Sequence, residues 1–288
     1  MVVDPITFAW GTRTFIMAIL NITPDSFSGD GIYNGNNFIK LSVQKAHQAV
    51  KDGADILDIG GESTRPGSQS ISKETEIERV VPVIQAIAAE KLHVQISVDT
   101  YKAGVARAAI EAGANWINDV WGLRADPQLV QVAADHNVPI VLMHNRSKPT
   151  SAEMDAKLGG RYIGMQYDDL LKDIKRELLE SVEIALKAGV MRENIILDPG
   201  IGFGKTTQQN LELIDRLGEF RELGFPLLAG PSRKSFIGYT LDRPPDMRLE
   251  GTAAAAAVCI TRGADILRVH NVKELALVAR MTDAIVRR

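Results

Sequence analysis

Short apolar runs alternate along the whole chain with longer segments in which apolar residues recur every three or four positions. An apolar run of three to six residues is typical of a strand buried on both faces, and the longer spacing is typical of an amphipathic helix. The runs fall at 15–20, 55–60, 94–98, 116–118, 140–144, 195–198, 227–230 and 266–269. The pattern therefore predicts eight strands separated by helices.

A quasi-repeat supports this alternation. The strings GADILDIG, GANWINDV and GADILRVH begin at Gly53, Gly113 and Gly263, and a looser copy surrounds Gly189. Glycine just after a helix supplies the left-handed cap, and an apolar run follows it each time. Eight strand-helix units without a break in composition predict an α/β fold, a single (β/α)₈ TIM barrel formed by one domain, residues 1–288.

Three segments refine that prediction. Apolar residues 6–10 and 13–20 flank Gly11, which favours a short N-terminal β-hairpin leading into the first core strand. Pro82 lies inside a helical pattern that Ser72 would cap, and we expect it to kink that helix. Residues 145–160 are polar and give no regular period, so we expect an irregular loop there.

Composition narrows the function classes. The chain has 288 residues, 45% of them hydrophobic, and a formal net charge of -3. A slightly negative protein has no positive electrostatic field that would attract nucleic acid or an anionic membrane. The first twenty residues carry Asp4, no basic region and only short apolar runs, so we expect neither a signal peptide nor a bilayer-spanning helix there. The one cysteine, Cys259, lies in an alanine-rich apolar segment and reads as a buried hydrophobe. We expect a soluble, cytoplasmic protein that acts on small molecules.

The string IILDPGIGFGK at 195–205 looks at first like a phosphate-binding loop, because glycines precede a Lys-Thr pair. The Walker pattern requires a glycine where Pro199 stands, and the dinucleotide fingerprint requires one where Lys205 stands. Both interpretations fail on spacing. Asp198 therefore ends a buried strand for another reason.

Polar residues end nearly every predicted strand. In chain order they are Asn21, Glu62 to Arg65, Asp99, Asn118 with Asp119, His144, Asp198, Ser232 to Ser235, and Arg268 with His270. Any one of them could simply cap a helix or hydrogen-bond within the fold. Because the carboxyl ends of barrel strands share one face, together they predict a single polar mouth above an apolar barrel.

The chemistry of this mouth is mixed. The carboxylates of Asp99 and Asp198 with the amide of Asn118 suit a flat heterocycle that presents several N–H donors on one edge. Cations at Lys234, Arg268, His270 and Arg65 suit a phosphorylated group. Asn21 could ligate Mg²⁺ through its amide oxygen. His93, His136 and His144 lack the spacing of a zinc site.

Seven strings in this order resemble one family: NITPDSFSGDG, GGESTRPG, SVDTYKA, INDV, LDPGIGFGK, GPSRKSFIG and RVH. They are similar to the dihydropteroate synthases of folate biosynthesis, and the likeness extends from Phe15 to His270. The resemblance implies condensation of 6-hydroxymethyl-7,8-dihydropterin pyrophosphate with para-aminobenzoate, assisted by Mg²⁺. It also implies a homodimer formed near the C-terminus.

The resemblance further implies a role for each site residue. The pterin would meet Asp99, Asn118, Asp198, Lys234 and Arg268, and the pyrophosphate would meet Asn21, Arg268 and His270, with Asn21 as the metal ligand. Para-aminobenzoate would meet Phe27, Thr64, Arg65, Pro66, Phe203 and Ser235. Asp99, Lys234, Arg268 and His270 would be catalytic, in a dissociative route in which pyrophosphate leaves before the arylamine attacks.

Two segments depart from the commoner family pattern. The first loop reads SFSGDG instead of SFSDGG, so the acid is Asp30 and Gly29 takes its usual place. After the fifth strand the chain reads LMHNRSKPTSAEMD in place of the common MHMQG form, so the fifth helix is expected to begin differently.

Three other functions compete with this interpretation. A pterin-dependent methyltransferase barrel would share the acids and the amide but would not explain GGESTRPG or SRKS. A non-catalytic pterin-binding paralogue would not need a pyrophosphate subsite, so the presence of Asn21, Lys234, Arg268 and His270 argues against it. Lys234 as a Schiff-base lysine is the weakest alternative, because Arg233 and Lys234 more simply provide permanent cations.

Overall fold

The computed structural model describes residues 8–24, 37–64, 68–148, 151–163 and 166–287. The strands in this part of the chain are β1 (Phe15–Asn21), β2 (Ile56–Gly60), β3 (Gln95–Asp99), β4 (Trp116–Asp119), β5 (Ile140–Met143), β6 (Ala152–Asp155), β7 (Gly159–Tyr162), β8 (Ile195–Asp198), β9 (Leu228–Ala229) and β10 (Ile266–Val269). The α-helices are α1 (Phe38–Lys51), α2 (Lys73–Ala89), α3 (Ala103–Glu111), α4 (Leu129–His136), α5 (Leu170–Lys187), α6 (Thr207–Asp215), α7 (Ser235–Leu241), α8 (Leu249–Thr261) and α9 (Val272–Val286).

Eight of these strands form one parallel sheet in the order β8-β5-β4-β3-β2-β1-β10-β9. A parallel bridge between Leu197 and Leu227 brings its two ends together, and the Leu197 N–H donates to the Pro226 carbonyl at 3.0 Å. Helices separate the strands along the chain, so the sheet is a (β/α)₈ barrel. The predicted fold and the order of its eight strands are confirmed.

Alternate residues of each strand face the inside of the barrel, and their character changes along its axis. At the amino-terminal end they are apolar and form one buried cluster of Phe15, Met17, Ile56, Trp116, Val141, Ile196, Leu228 and Ile266. Two residues further along the same strands stand Asp58, Asn118, Asp198 and Arg268. The period of two thus places a polar layer directly above an apolar plug.

The helices largely follow the sequence signals. Helix α2 begins after Ser72, whose Oγ accepts a hydrogen bond from the Thr75 N–H at 3.1 Å, as predicted for a cap. The helix continues through Pro82 to Ala89. No helix in the described ranges combines the length and apolar composition needed to cross a membrane.

The N-terminal hairpin is not seen in the described residues. Residues 8–14 form a turn rather than a strand, and residues 1–7 lie outside the described ranges. Strand β1 pairs in parallel with β2 on one side and with β10 on the other, so both of its edges are occupied. No edge of β1 is therefore free to pair with an antiparallel strand.

A β-hairpin is found instead where the sequence predicted an irregular loop. Strands β6 and β7 pair antiparallel, with Ala152 opposite Tyr162 and Asp155 opposite Gly159. Asp155 Oδ1 accepts hydrogen bonds from the N–H groups of Lys157 and Leu158 at 2.8 and 2.6 Å, and Gly159 has a φ of +71°. This short aspartate-to-glycine loop is the turn signal that the prediction missed.

Candidate functional site

One cavity opens at the carboxyl ends of the barrel strands. Its lining includes eight of the predicted site residues: Asn21, Thr64, Asp99, Phe203, Lys234, Ser235, Arg268 and His270. The hairpin tip, through Leu158, Gly159 and Gly160, forms another part of its wall. Phe27, Arg65 and Pro66 lie outside the described residues, and their roles stay predictions.

Two predicted pterin ligands lie deeper than the cavity wall. Asn118 and Asp198 are only 3% and 4% exposed and are not part of the lining. Both project from the inward-facing register of their strands, β4 and β8, directly beneath the residues of the mouth. They are therefore placed to meet the innermost edge of a bound molecule.

Asp58 is the residue that joins this deep layer to the mouth. Its Oδ1 accepts a hydrogen bond from Ser97 Oγ at 2.6 Å, and its Oδ2 accepts from Asn118 Nδ2 at 2.9 Å and from Arg268 Nε at 2.6 Å. The Asp58 side chain is completely buried. One carboxylate thus fixes the amide of Asn118 and the guanidinium of Arg268 together.

Sequence reasoning missed Asp58 because it lies in the middle of its strand, and only strand-end residues were considered. The signal that would have found it is the isolated acid in the apolar string ILDIG, two positions from Ile56 on the inward face. A buried charge in such a run requires a partner of opposite sign. Arg268, on the last strand in chain order but separated from β2 only by β1 in the barrel, is that partner.

Arg268 also binds Asp99 at the rim of the cavity. Its Nη2 donates to Asp99 Oδ2 at 2.5 Å. Burial raises the pKa of Asp99 to about 7, although the positive charge of Arg268 opposes the shift. Burial lowers the pKa of Arg268, but the carboxylates of Asp58 and Asp99 raise it by more. The net shift is upward, so Arg268 stays a cation. The site therefore holds a permanent positive charge between two acids.

Asp198 is held by the glycine-rich turn that follows it. Its Oδ1 accepts a hydrogen bond from the Gly200 N–H at 2.7 Å. Gly200 has a φ of +75°, and a Cβ there would lie 1.9 Å from the carbonyl oxygen of His144, so only glycine fits. Burial raises the pKa of Asp198, and the charge of Lys234 opposes this. The glycines thus shape a turn around the acid rather than a phosphate cradle.

Lys234 lies over the same turn. Its Nζ donates to the carbonyl oxygen of Ile201 and stands 4.4 Å from the centre of the Phe203 ring. Burial lowers the pKa of Lys234 to about 8, while the negative charge of Asp198 acts in the opposite direction. An ammonium group and an aromatic face therefore meet in the cavity wall, at the side where Ser235 begins α7.

Lys205 and His144 support the turn from below. Lys205 Nζ donates to the carbonyls of Gly200 and Phe203 at 2.9 and 3.0 Å and lies 3.1 Å from His144 Nδ1. His144 Nε2 lies 3.1 Å from Glu177 Oε2. The strand-end position of His144 suggested a mouth residue, which is wrong, because this buried network turns its ring away from the cavity lining.

Asp119, another strand-end candidate, also has a structural role. Its two carboxylate oxygens accept hydrogen bonds from the N–H groups of Trp121 and Leu123 at 2.8 and 2.6 Å. The residue is 1% exposed and does not line the cavity. The alternative of a turn-capping aspartate is therefore the correct one here.

Glu62 begins the second loop of the mouth and is anchored by residues of the SVDTYKA string. Lys102 Nζ donates to Glu62 Oε2 at 2.5 Å and to Glu76 Oε2 at 2.6 Å, and Tyr101 donates its hydroxyl to Glu62 Oε1 at 2.9 Å. Thr64, two residues after Glu62, lines the cavity. The acid therefore fixes the start of this loop rather than taking part as an isolated charge.

Asn21 and His270 lie on neighbouring strands at the mouth. The His270 ring is positioned by Ser232, whose Oγ lies 3.0 Å from Nδ1 and also accepts from the His270 backbone N–H at 3.2 Å. Among the described residues the Asn21 side-chain amide has no hydrogen-bond partner, so its oxygen is available for a ligand.

The donor set fits magnesium brought in with a phosphate. No cluster of three or more histidine, cysteine or acidic side chains that could hold a metal ion occurs among the described residues. Mg²⁺ bound to a phosphate substrate needs only one or two protein oxygen ligands and keeps several waters. Asn21 would supply such an oxygen, and the ion would neutralise charge on the phosphates.

Comparison with known proteins defines the class. A model of the family described as "pterin binding enzyme" matches residues 17–270. This range covers most of the chain and contains every acid, amide and cation of the site described above. The chain belongs to the pterin binding enzyme family.

The relatives within that family are dihydropteroate synthases. The chain is 49% identical to the dihydropteroate synthase of Bacillus subtilis over 280 residues, which are 97% of this chain and 91% of the relative. A dihydropteroate synthase of Clostridium difficile, solved in the presence of pteroic acid, is 45% identical with a TM-score of 0.87, over 98% of this chain and 100% of that one. A Xanthomonas albilineans dihydropteroate synthase with 4-aminobenzoic acid is 39% identical with a TM-score of 0.84, over 96% and 94% of the two chains. The family resemblance inferred from the motifs is confirmed, and the methyltransferase alternative loses its support.

The Asp58–Arg268 pair gives the first prediction. Asp58→Asn and Arg268→Gln should each destabilise the fold, because each leaves a buried charge with fewer partners. The double variant should recover part of the loss, with a coupling free energy of about 1 to 3 kcal/mol. Denaturant unfolding of the four proteins measures this coupling. The exposed pair Glu212–Arg216 is the control and should couple by about 0.5 kcal/mol or less; additive losses at Asp58 and Arg268 would contradict the network.

His144 gives a prediction for pH. Burial lowers its pKa to about 3 from 6.5, with the charge of Lys205 acting in the same direction. Between these values the unfolded chain binds one proton more at this residue, so stability falls as the pH falls from 6.5 towards 3. His144→Gln should remove that contribution, about 1.4 kcal/mol for each pH unit. The free energy of unfolding is measured at pH 5.5 and pH 4.5, about one unit apart, for the wild type and for both variants. His136→Gln, a change at an exposed histidine, is the control. An equal dependence of the unfolding free energy on pH in all three proteins would show that His144 already carries its proton in the fold.

Proposed function

We propose that the protein condenses 6-hydroxymethyl-7,8-dihydropterin pyrophosphate with para-aminobenzoate to give 7,8-dihydropteroate and pyrophosphate. The observation that supports this best is one cavity with cations at its rim and, directly beneath its lining, a buried floor of acids and an amide. The floor suits the hydrogen-bond donors of a pterin, and the rim suits a pyrophosphate.

The pterin occupies the deep part of the site in this proposal. Asp198 and Asn118 accept and donate along its pyrimidine edge, and Asp99 lies against the ring. Lys234 meets the carbonyl side of the heterocycle. Arg268, held by Asp58 and Asp99, lies over the ring face and reaches the phosphates. Each of these partners is already oriented by a hydrogen bond in the fold, which lowers the cost of binding.

The pyrophosphate meets Asn21, Arg268 and His270 at the rim, with Mg²⁺ as cofactor. The ion, when bound, supplies charge neutralisation to the leaving phosphates. Ser232 fixes the His270 ring, so that its position does not have to be ordered during binding. In this reaction these residues stabilise the pyrophosphate anion and transfer no proton.

Para-aminobenzoate binds at the remaining side of the cavity. Its ring packs on Phe203 and Thr64, with Phe27, Arg65 and Pro66 completing the pocket and its carboxylate near Ser235. The ammonium of Lys234 lies 4.4 Å from the centre of the Phe203 ring. One short segment, from Asp198 to Phe203, thus contacts both substrates.

The reaction is dissociative in this account. The carbon–oxygen bond to pyrophosphate breaks first, the pterin carries the positive charge, and the amine nitrogen of para-aminobenzoate then forms the new bond and loses a proton to solvent. Fixed charges suffice for such a route: Arg268 and His270 stabilise the leaving anion and Asp99 the cation. The Lys234 amine donates to the Ile201 carbonyl, so it is engaged within the fold, which disfavours a Schiff-base nucleophile.

We also propose a cytoplasmic homodimer. Leu277, Met281 and Ile285 of α9 are 58, 64 and 54% exposed and recur every fourth residue, so they form one apolar stripe. Val258 of the neighbouring helix α8 is also exposed, at 39%. Contiguous exposed apolar residues of this kind are typical of a subunit interface. The buried free thiol of Cys259 fits a reducing compartment.

The reaction itself is the next prediction. Purified protein should release pyrophosphate only when dihydropterin pyrophosphate, para-aminobenzoate and Mg²⁺ are all present. A coupled pyrophosphate assay measures this, with chelation by EDTA and readdition of Mg²⁺ as the control. Tight binding of the pterin substrate without product would favour the non-catalytic paralogue instead.

The division of the site gives a further prediction. Asp198→Ala should weaken pterin binding by about 1 to 3 kcal/mol, because donors of the heterocycle lose their acceptor. Phe203→Leu should instead raise mainly the Michaelis constant for para-aminobenzoate. Calorimetric titration of the pterin and steady-state kinetics with each substrate separate the two. Unchanged pterin affinity in the first variant, or an effect confined to the pterin in the second, would refute the assignment concerned.

A further inference from the structure

Arg248 is a buried arginine for which the described part of the chain supplies no acidic partner. It is 3% exposed, and in the described ranges of the chain no carboxylate lies within ion-pair distance of its guanidinium. Three backbone carbonyls accept its hydrogen bonds: Nε donates to Arg243 at 3.0 Å, Nη1 to Arg233 at 2.9 Å and Nη2 to Leu158 at 2.7 Å. An arginine is costly to bury in this way unless its fixed fork of donors is needed.

The three carbonyls belong to different segments that meet at the cavity. Leu158 is at the tip of the β6–β7 hairpin, and Arg233 directly precedes Lys234 and Ser235. Leu158, Arg233 and Arg248 itself all line the cavity. The guanidinium therefore joins the hairpin to the loop that carries two proposed substrate-binding residues.

Arg233 is the point at which this link matters most. Its φ is +56°, a left-handed conformation that is unfavourable for a residue with a side chain. Three hydrogen bonds hold it there: its N–H donates to Thr252 Oγ1 at 3.0 Å, its Nε donates to Asn271 Oδ1 at 3.0 Å, and its carbonyl accepts from Arg248. Loss of the Arg248 bond would relax the turn that sets the positions of Lys234 and Ser235.

Helix α7 contains a space for the guanidinium. A Cβ on Gly238 would lie 2.1 Å from Arg248 Nη2 and 2.4 Å from its Cζ. Glycine is unfavourable within a helix, so its presence three residues after Ser235 has a packing reason. The absent side chain lets Arg248 lie against the helix backbone.

We propose that Arg248 is a positioning residue for the para-aminobenzoate side of the site, which fixes the β6–β7 hairpin and the Arg233–Ser235 turn as one wall. This rests on the proposed function, since it assigns the arylamine carboxylate to the Ser235 side. Displacement of that wall moves Ser235 and one proposed pterin ligand, Lys234. The deep pterin ligands Asn118 and Asp198 lie on other strands and keep their places, so the binding of the second substrate changes more than that of the pterin.

Steady-state kinetics of Arg248→Met test the proposal. The Michaelis constant for para-aminobenzoate should rise by about tenfold or more, because small displacements of positioning groups have large effects. That for dihydropterin pyrophosphate should rise by about threefold at most, because only Lys234 of its five proposed ligands lies on the displaced turn. Arg248→Lys should restore part of the loss, since an ammonium can meet only some of the three carbonyls. Lys157→Met, at an exposed lysine of the same hairpin whose ion pair with Asp242 lies on the surface, is the matched control and should leave both constants unchanged.

Gly238→Ala provides an independent test if Arg248→Met does not fold. Alanine favours the helix, yet its Cβ must displace the guanidinium, so the Michaelis constant for para-aminobenzoate should again rise selectively. Equal rises in both constants, or no rise in either variant, would overturn the role of Arg248. Wild-type protein that forms no dihydropteroate would instead overturn the proposed function, so the two failures are distinguishable.

Discussion

The ion pair between Asp58 and Arg268 is the interaction on which the site depends. A barrel interior is an expensive place for either charge alone, and each is present because the other is there. Each lies two residues beyond an inward-facing apolar residue of its strand, Ile56 or Ile266. Both charges therefore lie at the same level of the barrel, above the buried apolar cluster. Asp58 then uses its remaining lone pairs on Ser97 and Asn118, so the fold determines the orientation of the amide and of the guanidinium at once.

Three of the described loops above this pair are each held by a buried or largely buried cation. Lys205 binds the carbonyls of the glycine turn, Lys102 binds Glu62 at the start of the second loop, and Arg248 binds the Arg233 turn and the hairpin tip. Bonds of this kind set the loop positions before a substrate arrives. Catalysis by fixed charges requires such preorganisation, because no reorganisation energy is then spent as charge develops.

The sequence was sufficient for the barrel and for much of the mouth, because both depend on local patterns. Apolar runs locate strands, and residues that end parallel strands share one face, which is why Asn21, Asp99 and Arg268 could be grouped. Asp58 was missed, since a mid-strand acid is informative only when its partner's strand is known to be adjacent. His144 was misplaced for the same reason: its partners Lys205 and Glu177 are distant in sequence. The β6–β7 hairpin was missed because its strands are too polar for a period to stand out.

The central claim is that this arrangement of charges breaks the bond to pyrophosphate before the amine attacks. Positional isotope exchange tests it most directly: dihydropterin pyrophosphate carrying a heavy oxygen isotope in the bridge to the methylene carbon is incubated with the protein and Mg²⁺, without para-aminobenzoate. The account predicts that the label moves from the bridge to non-bridging positions, because the pyrophosphate can rotate and recombine with the cation. A label that stays in the bridge, under conditions in which added para-aminobenzoate is converted to product, would contradict it.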